Sequence, residues 1–124
     1  QIKNHITSKY LDWLRQLPVY FETDKYFFVH GGLKPNMTIK GHKEALRKDK
    51  SVKNPTKYEM IWIRDEFIRS NYDWGKKIIF GHTASVTPII MNNKIGIDGM
   101  FHNVGALFCI ELPSEKFYIQ YADA

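Results

Sequence analysis

Residues 26–32 read Tyr-Phe-Phe-Val-His-Gly-Gly, and residues 78–83 repeat the same design as Ile-Ile-Phe-Gly-His-Thr. In both stretches a continuously apolar run predicts a buried strand, and a histidine beside glycine follows where the run stops. The end of a strand is a rigid platform on the ligand side of an α/β sheet, and the glycines let backbone and substrate approach closely. His30 and His82 are therefore candidate site residues, with hydrogen-bonded core histidines as the alternative.

Further elements are predicted around these two runs. Apolar residues at helical spacing predict an amphipathic packing helix over 6–17. Thr56 and Glu59 form a capping box for a helix over 57–71, unless that helix begins near Asp65. The predicted fold class is α/β, or α+β by segment order, in a single domain spanning 1–124. A short helix is predicted over 42–48, and strands are predicted over 19–22, 26–30, 77–80, 88–91, 94–98, 106–112 and 116–122.

One segment, residues 40–57, carries the whole net charge of +5. It almost lacks aromatic side chains on which bases could stack, so a solvated, mobile loop is favoured over a nucleic-acid site. A non-catalytic module that binds an acidic partner through this segment is the alternative function. Its basic residues are Lys40, Lys43, Arg47, Lys48, Lys50, Lys53 and Lys57, against the acidic Glu44 and Asp49.

The composition indicates a folded chain that does not contact a membrane. Its 124 residues are 44% hydrophobic and 15% aromatic, which supplies enough apolar area for a core. No run approaches the roughly 18 consecutive apolar residues that span a bilayer. The one cysteine, Cys109, lies in the apolar run 106–112 and is predicted to be a core thiol, and a reducing cytoplasm is the favoured location.

Arg64 stands among large apolar side chains in Ile-Trp-Ile-Arg-Asp-Glu-Phe, residues 61–67. An arginine held in this way is pre-organised to bind a phosphoryl group through two parallel hydrogen bonds. The alternative is an exposed arginine that pairs with Asp65 or Glu66. The residues alone leave both interpretations open.

The chain resembles the second half of the calcineurin-like metallophosphoesterases in four segments that occur in the family's order. Within that family it is most similar to the phosphoprotein phosphatases of the bacterial and phage type and to the symmetrical diadenosine tetraphosphatases. The resemblance runs from about Tyr10 to Leu112 and implies the C-terminal half of a β-sandwich with flanking helices. The segments are His-Gly-Gly-Leu at 30–33, Ile-Trp-Ile-Arg-Asp-Glu-Phe at 61–67, Ile-Ile-Phe-Gly-His-Thr at 78–83 and Ile-Gly-Ile-Asp at 95–98.

The resemblance implies a site for two divalent metal ions, which would be manganese, iron, zinc or nickel. His30 and His82 match two histidine ligands of the second metal, and Arg64 matches an arginine that binds the substrate phosphate. The implied activity is hydrolysis of phosphate esters in a phosphorylated protein or, alternatively, in a dinucleoside tetraphosphate. The other positions that would shape the site are Gly31, Gly32, Gly81 and Asp98.

The family's earlier motifs are not found in the chain. No Asp-x-His occurs, and Asn4-His5 lacks the flanking residues of the motif that carries the general-acid histidine. The chain therefore holds no catalytic residue, and alone it is predicted to bind metal weakly and to turn over little or nothing. Half of a sandwich would also expose apolar sheet surface, which makes a homodimer a further hypothesis. After Asp98, Gly99-Met100-Phe101 departs from the family pattern.

Overall fold

The computed structural model describes residues 7–100 and 105–122. Within these ranges the chain is a mixture of helices and strands, as the predicted α/β or α+β class requires. No helix there is long and apolar enough to cross a membrane. The helices are α1 (Ser8–Gln16), α2 (Ile39–Lys48), α3 (Pro55–Trp62) and α4 (Asp65–Ile68). The strands are β1 (Tyr20–Glu22), β2 (Tyr26–Val29), β3 (Lys77–Phe80), β4 (Ile89–Ile90), β5 (Lys94–Gly96), β6 (Ala106–Glu111) and β7 (Lys116–Tyr121).

A mixed five-stranded sheet has the order β1-β2-β3-β5-β4. Its three inner strands, β2, β3 and β5, run parallel, and β1 and β4 are antiparallel at the two edges. The helices α2, α3 and α4 all lie in the connection between β2 and β3, because neighbouring parallel strands need a long crossover. Strands β6 and β7 pair as a separate antiparallel hairpin. The parallel arrangement brings the residues that follow β2, β3 and β5 to one edge of the sheet.

Helices cover one face of this sheet. Side chains alternate between the faces of a strand, so Phe27 of β2 and Ile78 and Phe80 of β3 all point to the helix side. There they form the larger core with Met60 of α3 and Phe67 of α4. Phe27, Met60, Phe67 and Ile78 have no exposed surface. This packing fixes the positions of β2 and β3 relative to the helices. It therefore also fixes where the histidines that follow these two strands lie.

The opposite face is covered only in part. Ile79 and Ile95 are buried there, and side chains of the β6–β7 hairpin such as Phe117 pack against them. Towards β1 the face is open: Phe21 is 63% exposed. A groove of about 410 Å³ runs past Phe21 and Ile79 to His30. The sheet therefore presents apolar surface directly beside one of the predicted site residues.

The first predicted helix is present as α1, but the prediction that it packs is wrong. None of its residues is buried, and Tyr10 and Trp13 are 60% and 58% exposed. The apolar stripe has the right spacing but no layer among the described residues to cover it. The predicted start at Ile6 lies outside the described residues, as do Asn4, His5 and Phe101.

The basic segment is only in part the loop that its charge predicts, and the short helix predicted over 42–48 is confirmed within α2. Helix α2 occupies the first half of the segment, and the side-chain oxygen of Thr38 caps that helix by accepting the backbone N–H of Gly41 at 3.0 Å. Ile39 and His42 of α2 are buried. An amphipathic helix needs only a few buried anchors, and the charge count did not reveal that Ile39, just before the segment, and His42, within it, are buried.

The single helix predicted over 57–71 is wrong, because the chain forms α3 and α4 with a break at Ile63 and Arg64. The cap of α3 is Asn54 rather than Thr56: its side-chain oxygen accepts the backbone N–H groups of Thr56 at 2.8 Å and Lys57 at 3.2 Å. The alternative start near Asp65 is confirmed for α4.

Cys109 is exposed, which contradicts its prediction as a core thiol. Every second residue of β6 faces outward, and Leu107, Cys109 and Glu111 share that outward face. The apolar run over 106–112 suggested burial on both sides, whereas the hairpin buries one side only.

Candidate metal and phosphate site

The ends of the three parallel strands bring His30, His82 and Asp98 to the same edge of the sheet. The backbone N–H of Gly81 donates to the carbonyl of His30 at 2.9 Å, so the ends of β2 and β3 are joined directly. The imidazole rings of His30 and His82 lie with their centroids 4.9 Å apart and are inclined at 53°. The two predicted metal ligands are therefore neighbours in space.

The loop after His30 has room for glycine only. The backbone N–H groups of Gly31 and Gly32 both donate to the carbonyl of Met60, at 2.8 and 3.3 Å. A Cβ on Gly31 would stand 2.6 Å from the carbonyl oxygen of Ile61. Gly32 has a φ of 151°, and a Cβ there would stand 2.4 Å from the ring of Phe67. These glycines let the strand end close directly on α3 and α4, while the side chain of His30 remains exposed.

His82 sits at the centre of a tight turn. Its φ of 61° is in the left-handed region, which residues other than glycine rarely adopt. The backbone N–H of Thr83 donates to the carbonyl of Gly81 at 2.6 Å and closes the turn across His82. Such local strain persists only where the surroundings enforce it, and it concentrates at functional sites. The turn directs the imidazole back towards His30.

The surroundings of the His82 imidazole favour its neutral form. Its Nε2 is buried and makes no hydrogen bond of good geometry to a described residue. Burial lowers the pKa of His82, and the positive charges of Arg64 and His30 act in the same direction, outweighing the carbonyl of Trp62 and the carboxylate of Asp98. A neutral imidazole with a free ring nitrogen has the lone pair that a metal ion requires.

Arg64 is exposed, yet it is directed at the site rather than at its helix neighbours. Its Nη1 donates to the carbonyl oxygen of His82 at 2.7 Å. Asp65 pairs instead with Arg69, at 3.6 Å. Because one contact occupies only part of the guanidinium fork, N–H donors are left for an anion.

An aromatic side chain that the sequence analysis passed over completes the surroundings of His82. Trp62 lies 5.5 Å from the imidazole between ring centroids, at 85° to it, and is 56% exposed. Tyr58, one turn earlier in α3, lies 6.2 Å from Trp62 and is also exposed. The signal was present in the sequence, since Trp62 precedes Arg64 by two residues and α3 holds both aromatic residues on one face.

Asp98 faces the histidines across a cleft of about 290 Å³ that both histidines line. Its carbonyl accepts the backbone N–H of Ser85 at 2.9 Å. One carboxylate oxygen accepts the backbone N–H of Met100 at 3.1 Å. The structure thus places Asp98 near the site, where it fixes the loop after β5.

The residues present fit part of a metal site. His30 and His82 converge, and the Nε2 of His82, which has no hydrogen-bond partner among the residues that the structure describes, suits an ion better than a structural hydrogen bond. Among residues 7–100 and 105–122, no three or more side chains of His, Cys, Asp or Glu come together around one point. The two imidazoles would thus leave most of the coordination sphere of an ion to other ligands.

Membership of the metallophosphoesterases and the single domain over 1–124 both remain predictions. Searches with the chain against protein-family models and against curated proteins gave no match.

Proposed function

We propose that this chain forms part of a metal-dependent phosphoesterase site. In this proposal His30 and His82 are ligands of a divalent ion, and Arg64 binds the phosphoryl group of the substrate. The five-stranded sheet and the β6–β7 hairpin would be the C-terminal half of a metallophosphoesterase sandwich, since apolar side chains of both meet between them.

One observation carries the proposal: His30, His82 and Arg64, which are far apart in the chain, converge at the carboxyl edge of three parallel strands. The imidazole centroids are 4.9 Å apart, and the guanidinium is bonded to the backbone of the second histidine. Ligand sites of open α/β sheets lie at this edge. Two imidazoles next to an arginine combine metal ligation with anion recognition, which is the chemistry that a phosphoryl group calls for.

The chain's own residues would bind and orient the substrate. The neutral imidazole of His82 keeps its Nε2 lone pair available, and the strained turn fixes its direction. Arg64 would neutralise charge that develops on the phosphoryl oxygens. Bound divalent ions supply a water of lowered pKa and polarise the phosphoryl oxygens. The general acid would come from outside the four segments that carry the resemblance.

A phosphorylated protein is the proposed substrate class, and a dinucleoside tetraphosphate is the alternative. The non-catalytic module built on residues 40–57 has less support, because part of its charge is already paired. Lys43 contacts Glu22, which lies outside the segment, so this pair offsets one of its positive charges. Salt-sensitive binding to nucleic acid in the absence of divalent metal would favour that module instead.

The test is calorimetric titration of the chain with Mn²⁺ and then, at saturating Mn²⁺, with orthophosphate. We expect weak Mn²⁺ binding that His30→Ala and His82→Ala each weaken by at least about tenfold. Arg64→Ala should leave Mn²⁺ binding in place and weaken orthophosphate binding about tenfold, the value of a charge-assisted hydrogen bond.

Arg69→Ala is the matched control, because Arg69 is an exposed arginine that pairs with Asp65. It should leave both affinities unchanged. Equal losses in Arg64→Ala and Arg69→Ala would reduce the effect to general surface charge and overturn the assignment of Arg64. Mn²⁺ affinity that neither histidine substitution lowers would overturn the assignment of the metal ligands.

A further inference from the structure

Lys94 is a fully buried lysine on β5. In the sheet it is the register partner of Ile78, so its side chain enters the helix-covered core. Its Nζ donates to the carbonyl oxygens of Ser70 at 2.6 Å and Ile68 at 3.3 Å. The same ammonium lies 4.8 Å from the ring centroid of Phe67. Every one of these contacts is to the end of α4 or just beyond it.

A buried ammonium at this position is costly for a fold to keep. Among the described residues its polar partners are backbone carbonyls, and no carboxylate neutralises it. An apolar side chain of similar length would fill the same space without desolvating a charge. Burial lowers the pKa of Lys94 to about 8, in keeping with that cost. The position therefore requires a donor and not merely volume.

Helix α4 is the element that needs the donor. It has four residues, which is too short to be stable by itself, and its last carbonyls have no partners within the helix. Asn93, next to Lys94, adds to the same anchorage by donating to the carbonyls of Ser70 and Tyr72, both at 3.0 Å. The far end of α4 is thus fixed to β5 through two adjacent side chains.

The candidate phosphate-binding residue, Arg64, lies at the N-terminal end of α4. Arg64 is the N-cap of α4, and its carbonyl accepts the backbone N–H of Ile68 at 2.9 Å. A shift of the helix end held by Lys94 would pass through one turn of backbone to Arg64. Phe67, between the two, packs on Gly32 in the loop after His30.

We infer that Lys94 is a positioning residue for Arg64: by binding the carbonyl end of α4 from the core, it sets where the guanidinium stands beside His82. This inference rests on the proposed function, in which Arg64 binds the phosphoryl group. Lys94 itself does not touch the substrate.

The test is a double-mutant cycle on orthophosphate affinity at saturating Mn²⁺, with thermal unfolding recorded for each protein. Lys94→Met keeps the length of the side chain and removes the donor. We expect it to weaken orthophosphate binding about tenfold when Arg64 is present and to have no further effect in an Arg64→Ala background. A purely structural role would lower the affinity equally in both backgrounds.

Lys77→Met is the matched control, because Lys77 lies on neighbouring β3 and pairs with Glu115 at 2.7 Å, away from α4. It should leave the cycle unchanged. Lys94→Gln, which keeps a donor, is the second variant should Lys94→Met not fold, and its smaller loss should also need Arg64. Equal losses in both backgrounds, or no loss at all, overturn the inference alone. If Arg64→Ala itself has no effect, the proposed function fails and the inference fails with it.

Discussion

The two histidine-bearing strand ends have the same sequence design and different physical surroundings. His30 is exposed, and the glycines after it are pressed against the backbone of α3 and the ring of Phe67. His82 is half-buried in a strained turn, and its Nε2 has no hydrogen-bond partner in the described part of the chain. A Cβ on the glycine before it would meet nothing closer than 3.9 Å. Close packing around Gly31 and Gly32 therefore determines the shape of the His30 end. The backbone conformation of His82 itself determines the shape of the His82 end.

This difference separates what each end contributes. The His30 end anchors the site to the helices, since two backbone N–H groups bind the carbonyl of Met60. The His82 end presents an uncharged ring nitrogen, because burial and nearby positive charge lower the pKa of His82. Stability should be sensitive to change at the first end, and ligand binding should be sensitive at the second.

The largest expected effect comes from adding one methyl group at each end. Gly31→Ala should lower the free energy of unfolding by about 3 kcal/mol, because the new Cβ would overlap the carbonyl oxygen of Ile61, which is backbone and cannot move aside. Gly81→Ala should change it by less than about 0.5 kcal/mol, since the nearest atoms would be 3.9 Å away. Urea unfolding of both variants measures the contrast, and equal costs would show that the ends are not packed differently.

The sequence predicted the strands that carry the site better than it predicted the helices around them. The strand over 77–80 is confirmed at both ends, and β2 stops one residue before the predicted end at His30. Continuous apolar runs between polar turns leave a strand little freedom. The contact between the His30 and His82 rings follows from parallel neighbours ending at one edge, and the predicted strand ends carried that information.

What the sequence could not predict depends on contacts with backbone groups and on local backbone conformation. The burial of His42 depends on bonds to Thr38 and Lys34, and the break before α4 depends on the backbone of Arg64, whose φ and ψ are −132° and −100°. Lys94 looked like the polar start of a strand because its partners are carbonyls that no residue type identifies. The charge of residues 40–57 favoured a loop there, because charge alone does not show which side chains of a segment are buried.

The second effect concerns metal binding. In the metal-free chain the imidazole of His82 is pre-oriented and that of His30 is exposed, so His82→Ala should lower Mn²⁺ affinity more than His30→Ala, and each by at least about tenfold. Electron paramagnetic resonance of free Mn²⁺ measures both affinities. A larger loss in His30→Ala would reverse the assignment of the rigid ligand to the His82 end.

A smaller effect should appear in acid at the His30 end. His42 is buried, its Nδ1 lies 2.9 Å from the carbonyl of Thr38, and its Nε2 accepts the backbone N–H of Lys34 at 3.0 Å. Burial lowers the pKa of His42 below the ordinary 6.5. Below pH 6.5 the unfolded chain therefore binds a proton that the folded chain resists, and the free energy of unfolding should fall as the pH falls.

Urea unfolding at pH 7.5 and pH 5.5 measures this loss, and His42→Gln should show a weaker dependence on pH across that interval because its amide does not titrate. An identical dependence in both proteins would exclude His42 as the source.

The smallest effect concerns the lowered pKa of His82. The ring of Trp62 packs nearly perpendicular to the imidazole of His82 and helps to exclude water from it. Trp62→Leu should therefore raise the pKa of His82 towards its ordinary value, because a smaller side chain leaves more of the charged form hydrated. Titration of both proteins by nuclear magnetic resonance follows the imidazole of His82. An unchanged titration of His82 would assign its lowered pKa to Arg64 and His30 rather than to burial beneath the indole.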